Sequence, residues 1–133
     1  MFEYHGWINV QDTAGAEDAD HDVDRIRRIA DGIRERIREI DSPYLLDLRW
    51  MNGEAFVHFG GFPNHRDAGI LAFFAEVGVR APGSYGLLHV RDDEDSGHEN
   101  EVRVIRMVRG RLTEHPEPLL SPCIPLLEDP YQG

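Results

Sequence analysis

The sequence predicts an α+β fold: a largely antiparallel sheet of about five strands with two helices packed on one face, in the order β-α-β-β-α-β-β. Three observations carry this. Val23, Ile26, Ile29, Ala30, Ile33, Ile37 and Ile40 recur in steps of three and four, the stripe of an amphipathic helix. Asn52-Gly53 separates two strand-like runs and supplies both positive φ angles of a type I′ turn. The remaining apolar runs are mostly short, rich in β-branched and aromatic residues, and bounded by glycine, proline or acidic loops.

Each element follows from its residues. Phe2 to Gln11 alternates Phe2, Tyr4, Ile8 and Val10 against Glu3, His5, Trp7 and Asn9, a half-buried strand. Gly6 inside it marks a bulge or a close backbone approach. The acidic stretch from Thr13 to Asp22 reads as a loop whose carboxylates complement the dipole of the helix that follows. That helix runs from about Val23 to Ile40 and stops at Asp41-Ser42-Pro43. Tyr44 to Met51 and Glu54 to Phe59 form the hairpin, and Gly60, Gly61 and Pro63 break its second strand. Asn64 is the expected N-cap of a second helix holding Ile70, Leu71, Phe73, Phe74 and Val77, with Gly78 at the left-handed position that closes it. Two further strands, Ser84 to Arg91 and Glu101 to Arg109, flank a polar loop.

The 133 residues fit one domain, 1–133, in which 110–133 is a proline-rich tail packed on the rest. Pro116, Pro118, Pro122, Pro125 and Pro130 exclude a helix or a central strand there. Leu119, Leu120, Ile124, Leu126 and Leu127 are too apolar to float free, so the tail is expected to run extended along the surface.

Composition narrows the function. Fourteen basic residues against 25 acidic ones give a net charge of −11, which argues against nucleic acid or an anionic membrane as partner. A basic protein partner suits it better. All the basic residues are arginine, so lysine Schiff-base chemistry is excluded. No apolar run is long enough for a transmembrane helix, and the first residues carry no basic leader, so the expected compartment is the cytoplasm.

Catalytic patterns fail one by one. There is no glycine-rich phosphate loop and no serine elbow; Ser84 reads as the start of a strand. In Asp92-Asp93-Glu94-Asp95-Ser96-Gly97 the calcium-loop spacing places Arg103 where a bidentate glutamate is required. The seven histidines form no ligand spacing, although His5, His58 and His89 lie mid-strand and would converge if their strands were neighbours. Cys123, between Pro122 and Ile124-Pro125, reads as a buried packing residue. No cofactor, no metal and no enzymatic activity are therefore expected.

Three blocks, in order, carry a resemblance: Glu3-Tyr4-His5-Gly6-Trp7, the segment from Ser84 to Asp95, and the segment from Val108 to Asp129. Together they resemble the immunity protein 7 family of bacterial polymorphic toxin systems. The resemblance implies a cytoplasmic antitoxin that binds the C-terminal domain of a cognate toxin and neutralises it. A basic toxin such as a nuclease would suit the acidic surface. On this basis Asp92, Asp93, Glu94, Asp95, Glu99 and Glu101 are the candidate toxin-binding residues, against the alternative of a solvated loop. Trp7 is either an interface anchor or a side chain covered by the tail, with Pro122 to Leu127 as its expected cover. Two other classes stay open: an acidic non-toxin interaction module, including a homodimer through a sheet edge, and an unrecognised enzyme using the strand histidines.

Overall fold

A computed structural model of the chain describes residues 1–13 and 23–125. Most of the acidic stretch before the first helix, and Leu126, Leu127 and Pro130 of the tail, lie outside the described residues. The elements are β1 (Phe2–Val10), α1 (Val23–Ile40), β2 (Leu45–Met51), β3 (Glu54–Gly61), α2 (Ala68–Arg80), β4 (Tyr85–Asp92), β5 (Arg103–Val108) and β6 (Arg111–Pro116). All six strands form one antiparallel sheet in the order β2-β3-β1-β4-β5-β6. The expected α+β architecture is therefore present, with one strand more than the sequence suggested.

Register fixes the two faces of the sheet. Tyr4, Gly6, Ile8 and Val10 lie opposite Gly61, Phe59, Val57 and Ala55 on one side and, through Ile8, Gly86 on the other. This face continues into Leu48 of β2, Leu88 and Val90 of β4, and Met107 of β5. Ala30 and Ile33 of α1 and Ile70, Phe73, Phe74 and Val77 of α2 complete the core against it. Phe59 meets both Phe73 and Phe74, with ring centroids 5.9 and 5.5 Å apart. Each such fully buried side chain contributes about 1.5–3 kcal/mol of hydrophobic stabilisation.

Gly6 answers to the second of its two expectations. A side chain there would run into the backbone of Leu87 and Leu88, so β1 and β4 can only approach as they do with glycine. The Asn52-Gly53 turn has φ of 51° and 82°, as the type I′ hairpin requires. Asp41, with φ of 48°, ends α1 and donates its N–H to Ile37 O at 3.1 Å.

Four local expectations are corrected. The N-cap of α2 is Asp67, not Asn64: its Oδ1 accepts the Ile70 N–H at 3.1 Å. Gly78 lies inside α2, not beyond its end, buried where the β5–β6 turn crosses the helix. Gly60 and Gly61 stay within β3, paired with His5 and Tyr4, and the Tyr4 ring occupies the space a side chain at Gly61 would need. Residues 111–116, expected as the start of the extended tail, form an edge strand. They return on β5 through Arg109 and Gly110, whose φ values of 51° and 70° make a second turn of the same class.

The tail beyond β6 is pinned to the loop before β5. Ser121 Oγ accepts the Val102 N–H at 2.9 Å and donates to Val102 O at 3.2 Å. Asn100 holds Ile124 from both sides, accepting its N–H at 2.8 Å and donating to its carbonyl at 2.9 Å. The Ser121–Pro122 peptide is cis. Side-chain-to-backbone hydrogen bonds, not apolar burial, fix this segment: Leu119 is 91% exposed and Ile124 57%.

Candidate functional site

Both helices cover the face just described, so the opposite face of the sheet is where side chains of the central strands meet solvent. It presents Glu3, His5, Trp7 and Asn9 from β1, Phe56 and His58 from β3, Tyr85, Leu87, His89 and Arg91 from β4, and Arg106 and Val108 from β5. Register orders them in rows. Across the middle, Trp7 lies between His58 and Leu87, and Leu87 opposite Arg106. In the next row Asn9 lies between Phe56 and Tyr85; Val108, which follows the Gly86–Met107 pair, is partnered by Arg111.

Aromatic contacts and a polar network stiffen this patch. Trp7 is half-buried, and the Tyr85 ring meets it edge-to-face at 5.8 Å between centroids. Phe56 and His58 stack at 6.4 Å. Beneath them Asn9 is only 1% exposed. Its amide nitrogen donates to Tyr85 Oη at 3.2 Å and Glu54 Oε2 at 3.4 Å, and its carbonyl accepts from Gln11 Nε2 at 2.6 Å. Tyr85 is thus held at both ends, by a ring contact and by its hydroxyl.

The three strand histidines do share this face. His5 and His89 are direct cross-strand partners, while His58 pairs with Trp7 one row away. His5 bonds Glu3 at 2.9 Å, and His89 lies 3.8 Å from Glu117. Among the described residues no group of three or more His, Cys, Asp or Glu side chains is placed to hold a metal. Beside His5 and His89 the tail walls a cleft of about 370 Å³, to which Glu3, Leu119, Pro122 and Cys123 contribute. Cys123 is half-buried rather than buried, and its thiol donates to Asn100 Oδ1 at 3.1 Å.

The six acidic candidates sit at one end of the sheet, and most of them also bind the chain itself. Asp92 is buried; its Oδ1 accepts the Glu94 N–H at 3.0 Å and its Oδ2 lies 3.5 Å from Arg66, whose guanidinium covers the Phe2 ring. Asp93 takes the terminal ammonium of Met1 at 2.6 Å, which lowers its pKa. Glu94 bonds His65 at 2.6 Å, and that bond holds its carboxyl below the ordinary value. Backbone N–H groups, its own and that of Gly97, lower Glu99 in the same way. Glu101 bonds His98 at 2.7 Å and raises the histidine's pKa. Asp95 is half-buried and accepts the His98 N–H at its carbonyl at 2.9 Å. The cluster is a folded loop with a strongly negative outer surface.

Ser84 is structural, as its place at a strand start suggested. It is buried and its Oγ accepts the Gln11 N–H at 3.0 Å. Residues that the sequence did not single out are Asn9, Tyr85, Arg106, Arg109 and Arg111. Alternation alone assigns Arg106 and Tyr85 to sheet faces. The signal that unites them is register, which no local pattern carries.

Among the described residues no helix is long and apolar enough to cross a membrane. No curated protein and no solved structure matches the chain. The family model described as immunity protein 7 matches residues 1–129, nearly the whole sequence. With its three ordered blocks falling inside that match, the chain belongs to the immunity protein 7 family.

Proposed function

We propose that this chain is a cytoplasmic antitoxin that binds the C-terminal domain of a cognate polymorphic toxin and blocks it stoichiometrically, catalysing nothing itself. The observation that carries this is the family match over residues 1–129. The acidic end of the sheet supports a partner with a basic surface, of which a nuclease domain is the leading example. Asp93, Glu94, Asp95, Glu99 and Glu101 concentrate negative charge on the loop joining β4 to β5, with the buried Asp92 at the end of β4 anchoring its start. At a net charge of −11, such a loop steers a basic partner and raises its association rate by roughly 10–10³-fold.

The test is co-expression with the toxin domain encoded beside this chain's gene, scored by growth and then by co-purification. Rescue with a stable complex is expected. A toxic domain that the chain neither rescues nor binds overturns the pairing. Within a complex, Asp95→Lys with Glu99→Lys should slow association and flatten its salt dependence. Unchanged association kinetics would remove the loop from the encounter surface.

A further inference from the structure

Half of the 14 arginines reach a carboxylate among the described residues: Arg25, Arg36, Arg38, Arg49, Arg66, Arg80 and Arg103. Arg106, Arg109 and Arg111 do not: all three are exposed, and no carboxylate among the described residues lies within ion-pair distance of them. They gather at the β5–β6 hairpin, with Arg106 and Arg111 on the bare face of the sheet and Arg109 in the turn. Three exposed arginines with no carboxylate partner among the described residues, in a chain carrying 25 acidic residues, make this hairpin a place that would attract negative charge.

They also frame an apolar contact surface. Val108 is the cross-strand partner of Arg111. Tyr85 (45% exposed) and Val108 (38% exposed) each adjoin the Gly86–Met107 pair on neighbouring strands, and Trp7 meets the Tyr85 ring edge-to-face. Tyr85 Oη already accepts from Asn9, which leaves its own proton to donate. An aromatic ring fixed before binding loses little freedom on contact, and guanidinium forks match carboxylates in geometry as well as charge. This end of the face therefore presents a rigid aromatic anchor, an aliphatic neighbour and an uncompensated cationic rim.

We infer that Tyr85, Val108 and Trp7, framed by Arg106, Arg109 and Arg111, dock a carboxylate-bearing segment of the toxin domain. This rests on the proposed antitoxin function and divides the labour within it. The acidic loop at the other end of the sheet governs encounter, and the arginine-framed aromatic patch governs residence. A protein carboxylate is the favoured anion because a nucleic acid, a long polyanion, would also meet the field of a chain with a net charge of −11.

The experiment measures association and dissociation rates of the purified toxin domain on immobilised wild-type chain and on three variants. Arg106→Glu with Arg111→Glu should speed dissociation by about 30-fold or more, and Tyr85→Ala by about 10-fold, with association little changed. Asp95→Lys with Glu99→Lys should show the opposite division. The arginines make no contact that the fold needs, so the reversed variant should keep the wild-type denaturation midpoint. A toxin domain that binds wild type and the arginine-reversed variant with equal residence would overturn the docking patch and leave the antitoxin function standing. A toxin domain that does not bind wild type at all overturns both. Binding of a fluorescein-labelled oligothymidine, abolished by the same arginine reversals while toxin binding is unaffected, would instead assign the patch to single-stranded nucleic acid.

Discussion

Gly78 of α2 and Gly110 of the β5–β6 turn pack backbone against backbone. A methyl group built on Gly78 would stand 2.7 Å from the Gly110 carbonyl oxygen and 3.0 Å from its α carbon. The contact lets the helix end and the hairpin turn share one layer, and it explains why a residue of poor helix propensity occupies the last turns of α2.

Gly78→Ala should therefore destabilise the protein by about 1–3 kcal/mol despite raising helix propensity, because the turn must be pushed away. Gly32→Ala in α1 is the matched control. There the nearest atom to the added methyl is the flexible end of Arg80, at 3.2 Å, and a gain of roughly 0.5–1 kcal/mol is expected. Urea unfolding of both variants checks the contrast; equal effects would remove the backbone contact as the cause.

The two polar residues that compete to start α2 are distinguished by one hydrogen bond. Asp67→Ala removes the acceptor of the Ile70 N–H and should cost about 0.5–2 kcal/mol. Asn64→Ala, at an exposed position ahead of the cap, should be close to neutral. Thermal denaturation midpoints of the two variants decide between them.

Charge and hydrogen bonding pull the β4–β5 loop in two directions with pH. The bond to Glu101 raises His98 above its ordinary 6.5, so that contribution is complete below 6.5 and fades as pH climbs through the folded value. Glu94 and Glu99 are lowered from 4.5, so theirs is complete above 4.5 and fades as pH falls through their folded values. The loop is best held between those limits. Nuclear magnetic resonance titration should place the His98 ring above 6.5, and Glu101→Gln should return it towards that value. These groups are solvent-exposed, so added salt should shrink the effect.

Asn9 is the buried polar hinge of the open face, and its amide cannot be replaced by a carboxylate. Asn9→Asp turns a donor near Glu54 and Tyr85 into an acceptor and sets two carboxylates about as close as the present 3.4 Å contact. A loss of about 3 kcal/mol is expected near neutral pH. Burial beside Glu54 would raise the new group's folded pKa above its unfolded value, so the deficit should shrink on acidification. Equilibrium unfolding at several pH values reads this out; a deficit independent of pH would deny the charge repulsion.

Local chemistry made much of the fold legible. The isoleucine stripe of α1 and the Asn52-Gly53 turn act within a few residues, and both helices and the central strands follow from such signals. The Arg109-Gly110 turn was hidden because arginine is an unusual residue at positive φ; the closure of the hairpin onto β5 holds it there. The prolines around β6 suggested an extended segment running along the surface without strand pairing of its own, yet an edge strand tolerates proline at its end, where no ladder donor is needed. The open face was the least legible part. Trp7, Tyr85 and Arg106 stand far apart in the chain, and only the pairing of β1 with β4 and of β4 with β5 brings them together.

The strand order also makes β1 the link between two groups of strands. β2 with β3, and β5 with β6, are joined by two-residue turns, and each can zip locally. β1 sits between β3 and β4, and its Ile8 must find both Val57 and Gly86 across long intervening loops of chain. β1 is thus the strand that joins the β2-β3 pair to the β4-β5-β6 group in one sheet, through its pairing with β3 and β4. A chain stripped of β1 would not be a slightly smaller version of this protein but two unjoined halves.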